Sequence, residues 1–374
     1  MDKPDTRTVA CLSLTKGITA MFDFVYNWGA PWQIASFIIG LVIGVVFLVK
    51  FCDIFVDSAS AIAKKLHVSP LVIGLTVVAM GTSCPELAVS TSDSVSTLLH
   101  GGNANVALGN VVGSNICNLL LVLGLSALFT PILIKKSICK REFPMLIGFS
   151  AVLVLFGVLF GIGSVTGNYA ITRIEAIVFL VLMVGYIWYI LWSAKHDDPS
   201  DDEEEMEALD IKDVPMARAI ILTVIGIAGI VLGGELVVFG AKGLALEGSR
   251  LIGLNYDLAE SLVGLTIVAV GTSLPELVTS VIAAKKGENE LALGNVIGSN
   301  TFNILFILGI AGAVNPLTTG SQIIIDLIVM MVATLAVFAM SVFGKLGKRQ
   351  GIALIAMYVA YLAYLVIRTV IAPV

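Results

Sequence analysis

Apolar residues fill this chain in long unbroken blocks. Ten of them stand out, at roughly 33–62, 70–98, 104–128, 144–162, 171–193, 217–247, 259–284, 290–313, 321–343 and 350–371. Each reaches the ~18 residues that let a helix cross a bilayer. The pattern predicts an all-α membrane protein of ten transmembrane helices. The first and sixth blocks are long enough to be strongly tilted. Residues 1–32 are mixed and read as an N-terminal arm, interfacial or loosely ordered. They lack the charged, apolar and small-residue order of a cleaved signal. An acidic linker at 196–215 separates five blocks from five, which divides the chain into five-helix repeats at 33–195 and 216–374.

Composition agrees. Of 374 residues, 57% are hydrophobic and 13% charged, whereas a soluble domain carries about 25% charged residues. Nothing is basic enough for nucleic acid. The five cysteines (Cys11, Cys52, Cys84, Cys117 and Cys139) follow no disulfide or metal spacing. Cys84 reads as a small packing residue. Lys64, Lys65, Lys135, Lys136, Lys140, Arg141, Lys195, Lys212, Arg218, Lys285, Lys286, Lys345, Lys348 and Arg349 all fall on one side if the N-terminus is external, and the other side has little beyond Arg173, Arg250, Arg368 and the N-terminal arm. That bias predicts both termini outside and the acidic linker in the cytoplasm. The linker reads as a solvated connection, with a weak regulatory cation site as the sharper alternative.

The chain repeats itself. Residues 74–87 (GLTVVAMGTSCPEL) return at 264–277 (GLTIVAVGTSLPEL), and 107–125 (ALGNVVGSNICNLLLVLGL) return at 292–310 (ALGNVIGSNTFNILFILGI). Five spans per half is an odd number, so the second half must enter the membrane from the opposite side. The repeats are expected to be inverted, with broken helices at the midplane.

Each copy places an acid, Glu86 or Glu276, deep in an apolar block, where an ionisable residue marks function. Pro85 and Pro275 have no N–H, so they free the carbonyls of Gly81 and Gly271 and break the helix. Such backbone is tolerated at membrane depth only around a cavity or inside protein. Ala79, Thr82, Ser83 and Glu86 share one helical face, as do Ala269, Thr272, Ser273 and Glu276. The partner blocks add Asn110, Ser114 and Asn118, and Asn295, Ser299 and Asn303, again on one face each. Asp93 has no counterpart and reads as an entrance or structural residue. Lys50, Asp53 and Asp57 read as an ion pair or cavity edge. Nearly every donor is oxygen, which suits hard cations, and the loose set fits Ca²⁺ or Na⁺ better than Mg²⁺. Two acids that repel when empty and are neutralised by either cation supply a physical basis for exchange.

The motifs Gly-Thr-Ser-x-Pro-Glu at 81–86 and 271–276, and Gly-Asn-x-x-Gly-Ser-Asn-x-x-Asn at 109–118 and 294–303, resemble the sodium/calcium exchanger branch of the calcium/cation antiporter (CaCA) superfamily, in its prokaryotic type. The resemblance covers the chain from about residue 33 onward. It implies Ca²⁺ held by Glu86, Glu276, Thr82 and Thr272. It implies one Na⁺ site from Ala269, Thr272, Ser273, Glu86 and Ser114, and a mate from Ala79, Thr82, Ser83, Glu276 and Ser299. Asn118 and Asn303 would face the centre, with Asn110, Asn295, Pro85 and Pro275 in support. The first and sixth spans would slide as a unit to alternate access. Some relatives, including potassium-dependent ones, carry Asp where this chain has Asn303, so exchange without K⁺ is expected.

The resulting expectation is an electrogenic Na⁺/Ca²⁺ antiporter of the plasma (inner) membrane. It is not an enzyme, needs no cofactor, and has inorganic cations and the lipid bilayer as partners, as a monomer or weak oligomer. The alternative is an H⁺/Ca²⁺ or other divalent-cation antiporter on the same scaffold, although the proton-coupled branch tends to show Gly-Asn-x-x-Glu. An intramembrane hydrolase lacks a His or Lys base near Ser83 or Ser273. A channel would need weaker binding than a closed two-acid site allows.

Overall fold

The computed structural model describes residue 25 and residues 30–66, 69–100, 106–157, 169–196, 214–251, 269–319 and 323–371. Most of the N-terminal arm, most of the acidic linker and the start of the seventh apolar block lie outside the described residues. A helix stands at every apolar block, though the blocks at 144–162 and 259–284 are described only in part. In chain order these are α1 (Ala30–Leu66), the pair α2 (Pro70–Thr82) and α3 (Cys84–His100), α4 (Val106–Phe129), α5 (Glu142–Leu155), α6 (Arg173–His196) and α7 (Met216–Leu251). Then follow the pair α8 (Ala269–Thr272) and α9 (Leu274–Lys285), α10 (Asn289–Val314), α11 (Ile323–Ser341) and α12 (Lys348–Ile371). α1 starts at Ala30, ahead of the predicted start at 33.

Among the described residues, seven helices are long and apolar enough to cross a membrane, and α2 with α3, bent by 50°, form an eighth candidate. Burial sorts them. The apolar windows of α4 and α10 are 78% and 83% buried, against 22–39% for the other five. α4 and α10 are therefore the centre, and the rest turn side chains such as Val42, Val46, Val181, Val184 and Val332 outward as a lipid-facing belt. The core is aliphatic and aromatic, drawn from α4 and α10 with α5, α6, α11 and α12.

Two small sheets tie the halves together. β1 (Ile132–Leu133) pairs antiparallel with β4 (Lys345–Leu346), and β2 (Tyr169–Ile171) with β3 (Leu317–Thr319). β1 and β3 each follow one copy of the Gly-Ser-Asn helix, so both sheets join non-equivalent ends of the two repeats.

Small residues set the closest helix contacts. A Cβ at Gly298 would lie 2.7 Å from the Leu75 backbone, so α10 presses directly on α2. α2 is locally widened there, with a π-helical turn over Gly74–Val78. α1 and α7 approach in the same way: a Cβ at Gly44 would meet the Val237 nitrogen at 2.7 Å, and one at Gly233 the Leu48 nitrogen at 2.8 Å. Without a hydrophobic force between helices in lipid, such backbone approach carries the packing.

Polar side chains pin α1 to the α9–α10 turn. Lys286 pairs with Asp53 at 2.7 Å and with Asp57, and the Ser60 hydroxyl donates to the buried Glu288 carboxylate. Asp53 and Asp57 thus find their partner on the other half and not in Lys50. Asp93 accepts the backbone N–H groups of Val106 and Ala107, both at 3.2 Å, so its role is structural, at the start of α4. Cys84 corrects the packing expectation: it lies on an exposed face, its thiol donating to the Met80 carbonyl at 3.3 Å, because the helix break turns it away from the core.

Two outcomes follow from this packing. Gly298→Ala should lower the unfolding free energy by about 1–3 kcal/mol, the usual cost of overpacking. Gly185→Ala, on an exposed helix face with nothing within 4 Å of a built Cβ, should instead gain up to about 1 kcal/mol from the helix preference of alanine over glycine. Thermal unfolding in detergent checks both. Burial also pushes the Glu288 carboxyl up from 4.5 to about 7. The native state therefore keeps a proton that the unfolded chain releases, and stability falls as pH rises through that window. Glu288→Gln should gain melting temperature over the parent progressively from about pH 5 to about pH 8; a constant gap across that range would contradict this.

Candidate functional site

The two broken pairs have the same local geometry. The helix stops at Ser83 with φ −84° and ψ 11°, and at Ser273 with φ −87° and ψ 3°. Each proline follows two residues later. The Ser83 N–H still reaches Ala79 O at 3.0 Å and the Leu87 N–H reaches Ser83 O at 3.1 Å. The Gly81 carbonyl has no corresponding donor, because residue 85 is proline. The break aims Glu86 and Glu276 inward, and both are completely buried.

Each acid meets hydroxyls from both halves. Glu86 Oε1 accepts from Ser114 Oγ at 3.2 Å, with Thr272 beside it. Glu276 Oε1 accepts from Ser83 Oγ at 2.9 Å, with Thr82 and Ser299 beside it. The Thr82 hydroxyl donates to Asn295 Oδ1 at 3.0 Å and lies 3.4 Å from Ser299 Oγ. The predicted acids, Thr82, Thr272, Ser83, Ser114 and Ser299 thus converge in one place.

The supporting asparagines are duplicated in detail. Asn110 Nδ2 donates to the Glu86 carbonyl at 3.3 Å and to Ser90 Oγ at 3.0 Å. Asn295 Nδ2 donates to the Glu276 carbonyl at 3.3 Å and to Ser280 Oγ at 2.9 Å. Each amide holds the backbone that carries an acid. Pro85 and Pro275 stand second in α3 and α9. Ala79 offers its carbonyl within α2, and Ala269 opens the described part of α8.

The free valences face the same way chemically. Glu86 Oε2, Glu276 Oε2, Asn118 Oδ1 and Asn303 Oδ1 are all buried and accept no hydrogen bond from the described residues. All four are oxygens with lone pairs. Buried polar atoms are almost always paired, so bare acceptors of this kind suit a cation that exchanges its hydration waters for protein oxygens. Among the described residues no three His, Cys, Asp or Glu gather in one place, so the donors here are two acids with hydroxyl, amide and backbone oxygens. Asn118 and Asn303 each open a π-helical turn, Asn118–Val122 and Asn303–Ile307, a distortion found mostly at functional positions.

Two residues were overlooked on the sequence, Asn115 and Asn300. Both are buried, and they bond across the interface between α4 and α10. The duplicated Gly-Ser-Asn was the available signal, since the asparagine repeats along with the serine before it.

The site can be set beside known proteins. The family model described as sodium/calcium exchanger protein matches residues 36–192 and 218–367. The putative antiporter CaxA of Alkalimonas amylolytica is 40% identical over 307 residues, 80% of this chain and 88% of that protein. The sodium/calcium exchanger MaX1 of Methanosarcina acetivorans is 34% identical over 316 residues, 75% of this chain and 84% of that one. A structure of the sodium-calcium exchanger NCX_Mj, soaked with zero Na⁺ and Ca²⁺, superposes with a TM-score of 0.70 at 32% identity, covering 89% of this chain and 99% of that chain. The chain belongs to the sodium/calcium exchanger family, a branch of the calcium/cation antiporters that carries cations across a membrane.

Proposed function

We propose that this protein is a Na⁺-driven Ca²⁺ antiporter that works by alternating access, is electrogenic and does not need K⁺. One observation carries the reading: two completely buried acids, one from each half, each keep one carboxylate oxygen bare while a serine hydroxyl of the first half donates to the other. Glu86 and Glu276 with Thr82 and Thr272 take Ca²⁺. Na⁺ takes the two symmetric sets, Ala269, Thr272, Ser273, Glu86 and Ser114, and Ala79, Thr82, Ser83, Glu276 and Ser299. One divalent ion balances both acids, and sodium ions balance them in plural. An empty pair of like charges in a dry site is costly, so the loaded protein is the one that reorients. Movement then depends on differential affinity between the two states. Both central positions are Asn118 and Asn303, with no third carboxylate to favour K⁺.

The domain reading is an N-terminal arm at 1–32, inverted five-helix repeats at 33–195 and 216–374, and an acidic linker at 196–215. Strand pairing supports the inversion. β1 and β2 are separated by the single α5 block and so belong on opposite faces if that block crosses. β3 pairs with β2, and β3 is the counterpart of β1. Equivalent points of the two halves then face opposite sides of the membrane. Loop charges favour external termini and a cytoplasmic linker. α1 and α7, packed on each other through Gly44 and Gly233, form the unit that slides.

Purified protein in Na⁺-loaded liposomes should take up tracer Ca²⁺ when external Na⁺ is low, and the flux should reverse with the Na⁺ gradient. Glu86→Gln and Glu276→Gln should each reduce it to background, and withdrawing K⁺ should change nothing. Indifference to the Na⁺ gradient, together with uptake driven by a pH step at zero Na⁺, would favour the proton-coupled alternative.

A further inference from the structure

Asn115 and Asn300 lie one position after Ser114 and Ser299, and the site as read so far gives them no part. They are 1% and 0% exposed. Their amides are oriented by partners that allow no choice. Asn115 Nδ2 donates to the Asn300 backbone carbonyl at 3.3 Å, with Met330 Sδ at 3.8 Å. Asn300 Nδ2 donates to the Asn115 backbone carbonyl at 3.4 Å. A carbonyl only accepts, so the nitrogen end of each amide must face the other helix. The oxygen end of each must then face away from it.

That orientation passes to the next pair. Asn300 Oδ1 accepts from Asn118 Nδ2 at 3.2 Å, and Asn115 Oδ1 accepts from Asn303 Nδ2 at 3.0 Å. An oxygen in those places requires the nitrogen ends of Asn118 and Asn303. Their own oxygens are left buried and without a hydrogen bond. Asn118 lies one helical turn beyond Ser114, and Asn303 one turn beyond Ser299, so both share a face with the hydroxyls that meet the acids. Each link runs from one half of the chain to the other.

We propose that Asn115 and Asn300 are positioning residues for cation recognition: they lock Asn118 and Asn303 with the amide oxygen, and not the amide nitrogen, turned to the carboxylate pair. This rests on the reading of that pair as the cation site. The two ends of an amide are alike in size and opposite in polarity. The oxygen end attracts a cation; the nitrogen end presents N–H groups that repel it and donate to the bare carboxylate oxygens instead. A hydrogen bond to a charged group is stronger than one to a neutral group, so an unlocked amide would turn its nitrogen toward the empty acids. Affinity would then drop with the fraction of protein still in the competent orientation. The backbone carbonyls of the opposite helix set the first amide, and that amide sets the second.

The test is a double-mutant cycle read by calorimetric Ca²⁺ binding to the purified full chain, with thermal unfolding to confirm the fold. Asn300→Leu should weaken Ca²⁺ binding about tenfold or more, the factor that corresponds to about 1.4 kcal/mol. In an Asn118→Asp background the same substitution should cost less than about threefold, because a carboxylate presents oxygen whichever way it turns. Equal losses in both backgrounds, or no loss in the parent, overturn the proposal. If Asn300→Leu does not fold, the mirrored cycle of Asn115→Leu with Asn303→Asp asks the same question in the other half. Glu86→Gln separates the premises: if it abolishes Ca²⁺ binding while the cycle shows equal losses, the amide lock alone fails; if it leaves Ca²⁺ binding intact, the site reading fails and the proposal falls with it.

Discussion

Two carboxylates held in a lipid-embedded protein, out of reach of water, constrain everything around them. Removing one such charge from water costs several kcal/mol even after the protein relaxes, and the pair also repels. Hydroxyl donors from Ser114 and Ser83 offset part of this, but each acid keeps one oxygen bare. The missing stabilisation is of the kind a cation supplies. The helix breaks at Ser83 and Ser273 serve the same end, since they release backbone carbonyls where the acids turn inward.

Neither half can build this site alone. Glu276 from the second half is held by Ser83 from the first, and Glu86 from the first has Thr272 from the second beside it. Asn295 fixes the backbone of its own half through the Glu276 carbonyl and accepts from Thr82 of the other. The backbone contact at Gly298 brings α10 close enough to α2 for these short side chains to reach. Ser and Thr hydroxyls extend little beyond the backbone, so a site made of them demands helices that nearly touch. The two amide pairs between α4 and α10 continue this logic along the central axis, where all four asparagines are buried.

The periphery is arranged differently. α1 and α7 pack on each other, and none of their described residues hydrogen-bonds either acid. Yet Ile227 and Val238 of α7 stand against Gly81 and Gly271, the glycines of the two motifs. Ion pairs from Lys286 to Asp53 and Asp57 fasten one end of α1 to the turn before α10. The pair thus touches the motifs with aliphatic side chains and is tied by polar groups at one end.

Much of this was legible in the residues. Apolar block length located the helices, because a bilayer fixes how many residues a span requires. The duplicated Gly-Thr-Ser-x-Pro-Glu located the acids and the helix breaks, because proline and buried charge act locally whatever the tertiary setting. Spacing could also say that Ser114 and Asn118 share a face. It could not say which half's hydroxyl reaches which acid, that Lys286 and not Lys50 answers Asp53, or that Cys84 turns outward. Nor could it give Asn115 and Asn300 a role, since an amide is donor at one end and acceptor at the other and only its neighbours decide which end faces where. Helix, break and buried charge are consequences of the local chain; partner choice and amide orientation depend on groups far apart in sequence, and only the packing of one half against the other brings them within bonding distance.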